Sequence, residues 1–401
     1  MSEVAQVTHS SPDGHIPQLR FPQFSHDWAI STIGNLAKID TGNRDTQDRV
    51  NSGKYPFYVR SNTVERINEY AFDGEAILTS GDGVGVGKNF HYVVGKFNYH
   101  QRVYSIHNFT NSTNGKFIYY YFADKFYRRV SRLSAKNSVD SVRMSMISDM
   151  PISIPAKPEQ QKIAAFLTAV DNKIEQLSKK QELLGEYKKG LMQQIFSQAI
   201  RFKADDGSDF PDWEEKKLGD VVSTPVSDGP HLTPKFVKQG VPFLSVNNLV
   251  ESKIDFSNVR YISIDDHLVF SKKCKPKKGD VLLGKAASVG KVAFVETDVE
   301  FNIWSPIAMI RPGNSNFSKY IYYCFQTRFI LNQISKFTNS SSQGNIGMGD
   351  INKIIIKLPN KLEQTKIANF LSSIDTKIEQ VGKQLDESKQ FKKALLQQMF
   401  V

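Results

Sequence analysis

The amino-acid sequence predicts an α+β protein in which two pseudo-twofold-related mixed α/β domains are separated by two long antiparallel helices that form a coiled coil. The main observation is a long segment that occurs twice, at residues 155–196 and 359–400, without a gap and at a constant offset of 204 residues. Shorter segments ahead of each copy match as well. Because an internal repeat must build the same structure twice, it organises the whole chain.

Both copies of the repeat have the pattern of a coiled-coil helix. Apolar residues recur at alternating spacings of three and four, which is the narrow seam of paired helices. Polar residues at Gln181, Lys188, Ser388 and Lys392 interrupt the seam, and such positions restrict register and partner choice. The apolar seam consists of Ile163, Leu167, Val170, Ile174, Leu177, Leu184, Leu191 and Ile195 in the first copy, and of Ile367, Leu371, Ile374, Ile378, Val381, Leu385, Leu395 and Met399 in the second.

The segments ahead of the helices predict the domain type. Short β-branched runs broken by Gly, Asn and Asp indicate mixed domains with mostly antiparallel strands, and the residues between the matches differ, so we expect one scaffold with two unlike surfaces. The aromatic clusters at 119–122 and 320–325 occupy one aligned place, which favours core packing over base stacking. The matching segments are RFPQF from Arg20 and DFPDW from Asp209, KYPFYVRSN from Lys54 and GVPFLSVNN from Gly240, GEAILTSGDGVG from Gly74 and GDVLLGKAASVG from Gly279, and KFIYYYFADKF from Lys116 and KYIYYCFQTRF from Lys319.

The composition is globular and basic. Of 401 residues, 40% are hydrophobic and 23% charged, and the formal net charge is +11. Each copy of the repeat has seven lysines against five acidic residues, so +7 belongs to the rest of the chain and favours a polyanionic partner. Cys274 and Cys324 cannot build a disulfide framework, and no apolar run approaches the roughly 18 residues that a spanning helix needs, so we expect a cytoplasmic protein without a membrane partner.

No catalytic or metal-binding constellation is recognisable. The glycine-rich stretch 81–89 is not a nucleotide-binding loop, since Asp82 stands where that motif requires glycine and Asn89 replaces its Ser or Thr. We expect a turn between two strands there. There is no Asp/Asn-Pro-Pro-aromatic tetrapeptide and no nuclease carboxylate cluster, and the eight histidines include no pair at metal-ligand spacing. We therefore predict no catalytic residue and no metal ligand.

These motifs resemble one protein family. The P-x-x-x-E-Q-x-K-I-A-x-F-L and D-x-K-I-E-Q patterns of both helices, the FP segments, and the VPFLSVNN and GDVLLGK segments are similar to the specificity subunits of type I restriction-modification systems, over essentially all of residues 20–401. The resemblance implies that two target-recognition domains each bind one half of a split DNA sequence. It also implies that the helices act as a fixed spacer and that modification subunits bind alongside.

The resemblance further implies a non-catalytic subunit of a complex with adenine-DNA methyltransferase and endonuclease activity. The implied partners are double-stranded DNA, two modification subunits and, through the complex, restriction subunits. S-adenosylmethionine, ATP and magnesium are expected on the partner subunits and no cofactor on this chain. The predicted organisation is a mobile tail at 1–19, a first recognition domain at 20–154, a central helix at 155–200, a linker at 201–209, a second recognition domain at 210–358 and a C-terminal helix at 359–401.

The candidate DNA-binding residues are those whose side chains suit phosphates or base edges. In the first domain they are Arg60, Asn62, Lys88, His100, Gln101, Arg102, Arg128, Arg129, Arg132 and Lys136; in the second they are Asp228, His231, Asn247, Asn248, Lys285, Ser288, Lys291, Ser341, Gln343 and Asn345. The candidate partner-binding residues on the helices are Lys162, Asp171, Gln193 and Gln194 with their counterparts Lys366, Asp375, Gln397 and Gln398.

An alternative function is a structural adaptor that does not bind DNA and carries two protein-binding modules on a coiled-coil rod. Salt-dependent DNA binding separates the two hypotheses, because phosphate contacts release counterions and an adaptor makes none.

Overall fold

The structure is a computed structural model that describes residues 6–7, 16–134, 141–339 and 344–401. The chain forms two compact units, one of Met1–Lys180 with Val381–Val401 and the other of Gln181–Gln380. Each long helix contributes one part to each unit. Within the described ranges, no helix combines the length and the apolar character needed to cross a membrane.

The first unit combines a six-stranded sheet with short and long helices. Asn114 begins the longest domain helix by accepting a hydrogen bond from the backbone N–H of Phe117 at 2.9 Å. In chain order the elements are β1 (Gln6–Val7), β2 (Leu19–Arg20), β3 (Ala29–Thr32), α1 (Ile33–Leu36), β4 (Lys38–Thr41), a 3-10 turn (Thr46–Asp48), β5 (Tyr55–Tyr58), β6 (Val64–Ile67), β7 (Phe72–Ser80), β8 (Phe90–Tyr99), β9 (Val103–His107), α2 (Gly115–Leu133), α3 (Met144–Ser148), β10 (Pro151–Ile154) and the long helix α4 (Lys157–Phe196).

The sheet of the first unit has six strands in the order β4-β9-β7-β8-β5-β6. All neighbours pair antiparallel except β5 and β8, so the predicted mostly antiparallel pairing is confirmed. A separate pair, β3 with β10, joins the opening segment to the strand that leads into α4. Helix α2 buries its aromatic face, including Phe117, Tyr120 and Phe122, in the main core of the unit. The aromatic cluster is therefore core, as predicted.

The second unit repeats this plan with shorter strands. Its counterpart of α2 is broken into two helices. In chain order the elements are β11 (Glu214–Lys217), a 3-10 turn (Leu218–Asp220), β12 (Ser227–Asp228), β13 (Phe236–Val237), β14 (Val241–Leu244), a 3-10 turn (Val246–Asn248), β15 (Leu249–Val250), β16 (Lys253–Ile254), β17 (Arg260–Ile262), α5 (Ile264–Ser271), β18 (Val281–Gly284), β19 (Val292–Phe294), β20 (Asn302–Ile303), β21 (Ile307–Ile310), α6 (Ser318–Cys324), α7 (Arg328–Asn339), α8 (Met348–Lys353), β22 (Ile355–Leu358) and the long helix α9 (Lys361–Met399).

The second unit divides its strands between two four-stranded sheets, β12-β21-β18-β19 and β13-β17-β14-β20. The parallel pair recurs: Phe243 lies opposite Asn302 in β14 and β20, as Phe57 lies opposite Asn98 in β5 and β8. The pair β11 with β22 repeats the pair β3 with β10. The faint sequence similarity therefore corresponds to one shared topology.

The two long helices run antiparallel. In the first unit Leu167, near the start of α4, shares a core with Leu395, near the end of α9. In the second unit Ile195, near the end of α4, shares a core with Leu371, near the start of α9. The predicted pairing of the helices is confirmed; the helices begin at Lys157 and Lys361, two residues after the first residues of the predicted segments 155–200 and 359–401.

In each unit, a lysine at an interrupting seam position pairs with an aspartate of the other long helix that also binds a tyrosine of the domain. In the second unit, Lys188 Nζ lies 2.6 Å from Asp375 Oδ1, and the Tyr323 hydroxyl donates to Asp375 Oδ2 at 2.6 Å. In the first unit, Lys392, Asp171 and Tyr120 form the same arrangement, with 2.6 Å and 2.8 Å for the two contacts. Each aspartate on one helix therefore binds the other helix and the domain at once. The polar seam positions thereby specify both the register and the domain attachment.

A buried carboxylate at the start of each long helix also holds the segment that opens each unit. Arg20 binds Glu159 with two hydrogen bonds of 2.7 and 2.8 Å, and both side chains are buried. Arg201 binds Glu363 in the same way at 3.2 and 2.9 Å. By sequence alignment, however, Arg20 corresponds to Asp209. The second arginine thus comes from the predicted linker and not from the position that is aligned with Arg20. Only the structure reveals this difference.

The tyrosine-to-aspartate contact should contribute measurably to stability. Tyr323→Phe removes a partly buried hydrogen bond to a carboxylate and should lower the free energy of unfolding by about 1.5–3 kcal/mol. The exposed Tyr187 of α4 provides the matched control. Tyr187→Phe should change that free energy by less than about 0.5 kcal/mol. Urea titration of the full chain, followed by circular dichroism, measures both. Equal effects of the two substitutions would contradict the role of Asp375 as a shared acceptor.

Candidate nucleic-acid interface

Three loops of the first unit meet at Asp82. Arg60 Nη1, just after β5, lies 3.0 Å from Asp82 Oδ1, and Arg102 Nε, in the turn between β8 and β9, lies 3.8 Å from Asp82 Oδ2. Both arginines are exposed. We call Arg60, Asp82 and Arg102 the Asp82 cluster. The structure thus brings together two candidate DNA-binding arginines that are distant in sequence. Both contact Asp82, which was not among the candidate residues.

His100 and Gln101 next to this cluster have different roles. His100 is buried, and its Nδ1 accepts a hydrogen bond from the backbone N–H of Arg102 at 2.8 Å. Burial lowers the pKa of His100, and Asp45 only partly offsets this effect. His100 therefore shapes the turn as a neutral acceptor rather than presenting a charge. Gln101 is exposed and donates to Asp45 Oδ2 at 2.9 Å.

The glycine-rich stretch packs closely on the segment after β5. Asn89 is buried and donates from Nδ2 to the Arg60 carbonyl at 3.1 Å. A Cβ at Gly85 would overlap the Asn89 side chain, so this position requires glycine. Lys88 is exposed with its ammonium 5.8 Å from the Tyr127 ring centroid, and Asn62 is exposed nearby in sequence. The stretch is a turn between β7 and β8, as expected.

The basic run at the end of α2 is divided by the fold. Arg129 donates from Nε to the Met146 carbonyl at 2.8 Å and from Nη2 to the Asp149 carbonyl at 2.9 Å, so its guanidinium fastens the segment around α3. Arg128 and Arg132 are exposed. Lys136 lies outside the described residues.

In the second unit, cationic groups from three segments converge on Asp228. The carboxylate is buried and lies 2.5 Å from Lys273 Nζ, 3.1 Å from Lys285 Nζ and 3.2 Å from His231 Nε2. We call these four residues the Asp228 cluster. Burial alone raises the pKa of Asp228, but the hydrogen bonds from Lys273 and Lys285 lower it by more, so the carboxyl remains ionised. Lys273 was absent from the candidates; its signal was the lysine-rich tract that follows α5.

The adjacent asparagines Asn247 and Asn248 face different environments. Asn247 is exposed. Asn248 is buried, accepts from the Ser245 backbone N–H at 3.0 Å, and donates to the Asp255 and Asn258 carbonyls at 3.1 Å each. Its side chain therefore supports a loop from inside, which is not the role that the sequence suggested.

The remaining candidates of the second unit lie near the loop after β18. Lys291 is exposed, and Ser288 is half-buried. Asn345 is half-buried and precedes Ile346, whose N–H donates to the Lys285 carbonyl at 2.9 Å. Ser341 and Gln343 lie outside the described residues.

Several predicted partner-binding residues are engaged within the chain. Asp171 and Asp375 hold the lysine and tyrosine contacts described above. Lys162 lies 5.5 Å from the Phe21 ring centroid, and Lys366 Nζ donates to the Lys203 carbonyl at 2.7 Å. The four glutamines are exposed, and a partner-binding role for them stays a prediction: Gln193, Gln194, Gln397 and Gln398.

Neither cluster has the ligand set of a metal site. Across the residues that the structure describes, no group of three or more His, Cys, Asp or Glu side chains is arranged to hold an ion. Both clusters instead combine a carboxylate with ammonium, guanidinium or imidazole groups, which suits an anionic ligand.

Comparison with known proteins identifies the family. The family model described as "Type I restriction modification DNA specificity domain" matches residues 25–184 and again 211–387. The chain belongs to this family of non-catalytic specificity subunits. The resemblance seen in the sequence motifs is thereby confirmed, and the matched domain occurs twice.

Individual relatives agree with this assignment. The chain is 24% identical over 405 residues to the type I restriction enzyme MjaVIII specificity subunit of Methanocaldococcus jannaschii, covering 94% of this chain and 92% of the relative. It is 28% identical over 174 residues to the type I restriction enzyme EcoDI specificity subunit of Escherichia coli, covering 43% and 38%. The solved S subunit of a type I restriction-modification system from M. genitalium shares the fold, with a TM-score of 0.66, 16% identity, and coverage of 96% of this chain and 99% of that one.

The two neighbouring asparagines allow a sharp test of loop support. Asn248→Ala leaves buried backbone groups without partners and should lower the free energy of unfolding by about 2 kcal/mol. Asn247→Ala should change it by less than about 0.5 kcal/mol, because the side chain is exposed. Urea unfolding of both variants provides the comparison. A larger loss for Asn247→Ala would show that the loop is not held by Asn248.

Proposed function

We propose that this chain is the DNA-recognition subunit of a type I restriction-modification complex, and that each recognition domain binds one half of a bipartite DNA site. The proposal rests on one observation: in each unit, cationic side chains surround an aspartate. The scaffold of the two units is the same, but the cationic residues differ. Asp82 is surrounded by two arginines, and Asp228 by two lysines and a histidine. Two unlike basic surfaces on one scaffold suit two different half-sites.

The exposed residues near these clusters supply the two kinds of contact that DNA recognition needs. Arg60, Arg102 and Lys88 suit phosphate oxygens, which set position on the duplex without reading sequence. Exposed amides at Gln101 and Asn247 suit base edges, where a good bidentate pair discriminates by about 1–3 kcal/mol. The buried His100 and Asn248 contribute indirectly in this proposal, by shaping the loops that carry the exposed residues.

The long helices have a separate role in the proposal. They set the spacing between the two half-sites and dock two modification subunits, through which restriction subunits join the complex. The exposed glutamines Gln193, Gln194, Gln397 and Gln398 recur at equivalent positions of both helices, which supports one docking surface for each modification subunit. In this proposal, S-adenosylmethionine, ATP and magnesium bind to those partner subunits, and the complex works in the cytoplasm.

A domain exchange tests the division into half-sites. Residues 210–358 are replaced by the same region of a relative with a different target, and methylated sites are mapped genome-wide in a host that lacks other type I systems. The expected result is a new sequence in one half-site, with the other half and the spacer length unchanged, because the helices stay intact. Exchange of residues 20–154 is the matched control and should change the opposite half. Simultaneous change of both halves, or an altered spacer, would refute the modular assignment.

Salt dependence tests DNA binding against the adaptor alternative. The chain assembled with its modification subunits should bind a labelled random-sequence duplex more tightly than the isolated chain. Its affinity should fall with salt, with a log–log slope of about −0.9 per phosphate contact. Arg60→Gln and Arg102→Gln should each reduce the magnitude of that slope by about 0.9, which is the contribution of one phosphate contact. Arg129→Gln is the matched control, because its guanidinium is bound to backbone carbonyls and should leave the slope unchanged. A wild-type complex without salt-dependent binding would favour the adaptor.

A further inference from the structure

The strand register reveals that Asp228 has a structural counterpart in the first unit. Asp228 in β12 lies opposite Ala308 in β21, and Ala308 lies opposite Leu283 in β18. In the first unit Asp40 lies opposite Ser105, and Ser105 opposite Leu78, across β4, β9 and β7. Leu78 and Leu283 are aligned in the GEAIL and GDVLL segments.

A glycine lies shortly after each of these aspartates, two residues on at Gly42 and one residue on at Gly229. A Cβ at Gly42 would overlap the Tyr99 carbonyl, and a Cβ at Gly229 would overlap the Ile303 carbonyl. Tyr99 and Ile303 each follow the asparagine of the parallel strand pair. The strand register therefore gives the two aspartates one position of the shared scaffold, and a close backbone approach at a glycine follows in both units.

The two aspartates have different partners. Asp40 accepts from the Tyr99 hydroxyl at 2.7 Å and contacts His107 Nε2 at 2.8 Å, so its half-exposed side chain completes a polar network within the first unit. Asp228 instead contacts cationic side chains from the segment after β12, from the segment after α5 and from the loop after β18. The same scaffold position thus closes a polar network in one unit and gathers positive charge in the other.

The geometry of the Asp228 cluster leaves donor groups available for a ligand. Lys273 Nζ has three donors, of which one reaches Asp228 and one reaches the Gly229 carbonyl at 3.2 Å, and its side chain is half exposed. His231 is largely exposed. Lys285 is mostly buried, and its ammonium faces the same carboxylate. A single buried negative charge therefore accompanies one half-exposed ammonium group, that of Lys273, and one mostly buried ammonium group, that of Lys285.

Holding these side chains has a defined physical benefit. A free lysine loses rotamer freedom when it binds a phosphate, and a lysine already held by a buried carboxylate has lost that freedom on folding. The carboxylate also separates two like charges that would otherwise repel at short range. Preorganisation of this kind strengthens binding without adding a contact to the ligand.

We propose that Asp228, paired with the mostly buried Lys285, is a positioning residue that holds Lys273 for contact with DNA phosphate oxygens at the half-site of the second unit. The inference rests on the proposed DNA-binding function and adds that an acidic side chain promotes binding of a polyanion. The inference therefore predicts an unusual direction for the change in DNA affinity. Removing a negative charge from a DNA-binding surface ordinarily strengthens binding, whereas removing this one should weaken it.

The experiment uses the full chain assembled with its modification subunits and a fluorescein-labelled random-sequence 40-base-pair duplex, because phosphate contacts do not depend on sequence. Asp228→Asn preserves size and should weaken binding about tenfold. Asp298→Asn is the matched control, since Asp298 forms an exposed pair with the exposed Lys278. This control should leave affinity unchanged or slightly raised. Unaltered or tighter binding by Asp228→Asn would overturn the inference. Failure of the wild type to bind would instead refute DNA binding itself.

A double-mutant cycle separates positioning from a general effect on folding. In a Lys273→Gln, Lys285→Gln background, Asp228→Asn should change affinity less than about twofold, because no ammonium groups remain to be positioned. An undiminished tenfold effect there would contradict the inference. If Asp228→Asn does not fold, Lys273→Gln decides: it should weaken the salt slope by about 0.9. Lys275→Gln, whose ammonium pairs with Glu300, should not. Equal slopes for the two lysine variants would overturn the inference.

Discussion

The structure depends on one carboxylate in each unit that binds two partners at once. Asp171 and Asp375 each accept a tyrosine hydroxyl from a recognition domain and pair with a lysine on the opposite long helix. The tyrosine contact alone would attach the domain to only one helix, and the lysine contact alone would join the two helices without the domain. Because both contacts share one carboxylate, the helix register and the domain attachment are coupled. This coupling explains why polar residues interrupt an otherwise apolar seam, where their desolvation would be unfavourable without such partners.

The shared scaffold limits which features of the two domains can differ. The parallel strand pair, the buried Asn98 and Asn302, and the close backbone approaches at Gly42 and Gly229 recur in both units. The two glycine positions allow little change because a Cβ there would overlap a backbone carbonyl. Exposed charged side chains in the loops, such as Arg102 and Lys273, carry no such constraint. The charged residues of the loops therefore differ between the units, as two surfaces for different half-sites would require.

Several candidate DNA-binding residues are buried and form hydrogen bonds within the chain instead of lying at the surface. His100 and Asn248 are buried and satisfy backbone groups, while the adjacent Gln101 and Asn247 are exposed. Adjacent residues in irregular loops follow no fixed period, so sequence alone could not tell which side chain is buried. The Arg201 contact with Glu363 illustrates the same limit. Arg201 is not aligned with Arg20, yet it makes the same contact with the glutamate at the start of the long helix.

The sequence by itself determined the repeat, the antiparallel helices, the mixed domains and the family, because these follow from apolar periodicity and from motifs read along the chain. Only the tertiary structure decided that Arg60 and Arg102 meet at Asp82, that Lys273 and Lys285 meet at Asp228, and that the helix aspartates bind within the chain. The physical reason is that periodicity is a local property, whereas the pairing of charges depends on strand register and loop path, which bring residues distant in sequence within hydrogen-bonding distance.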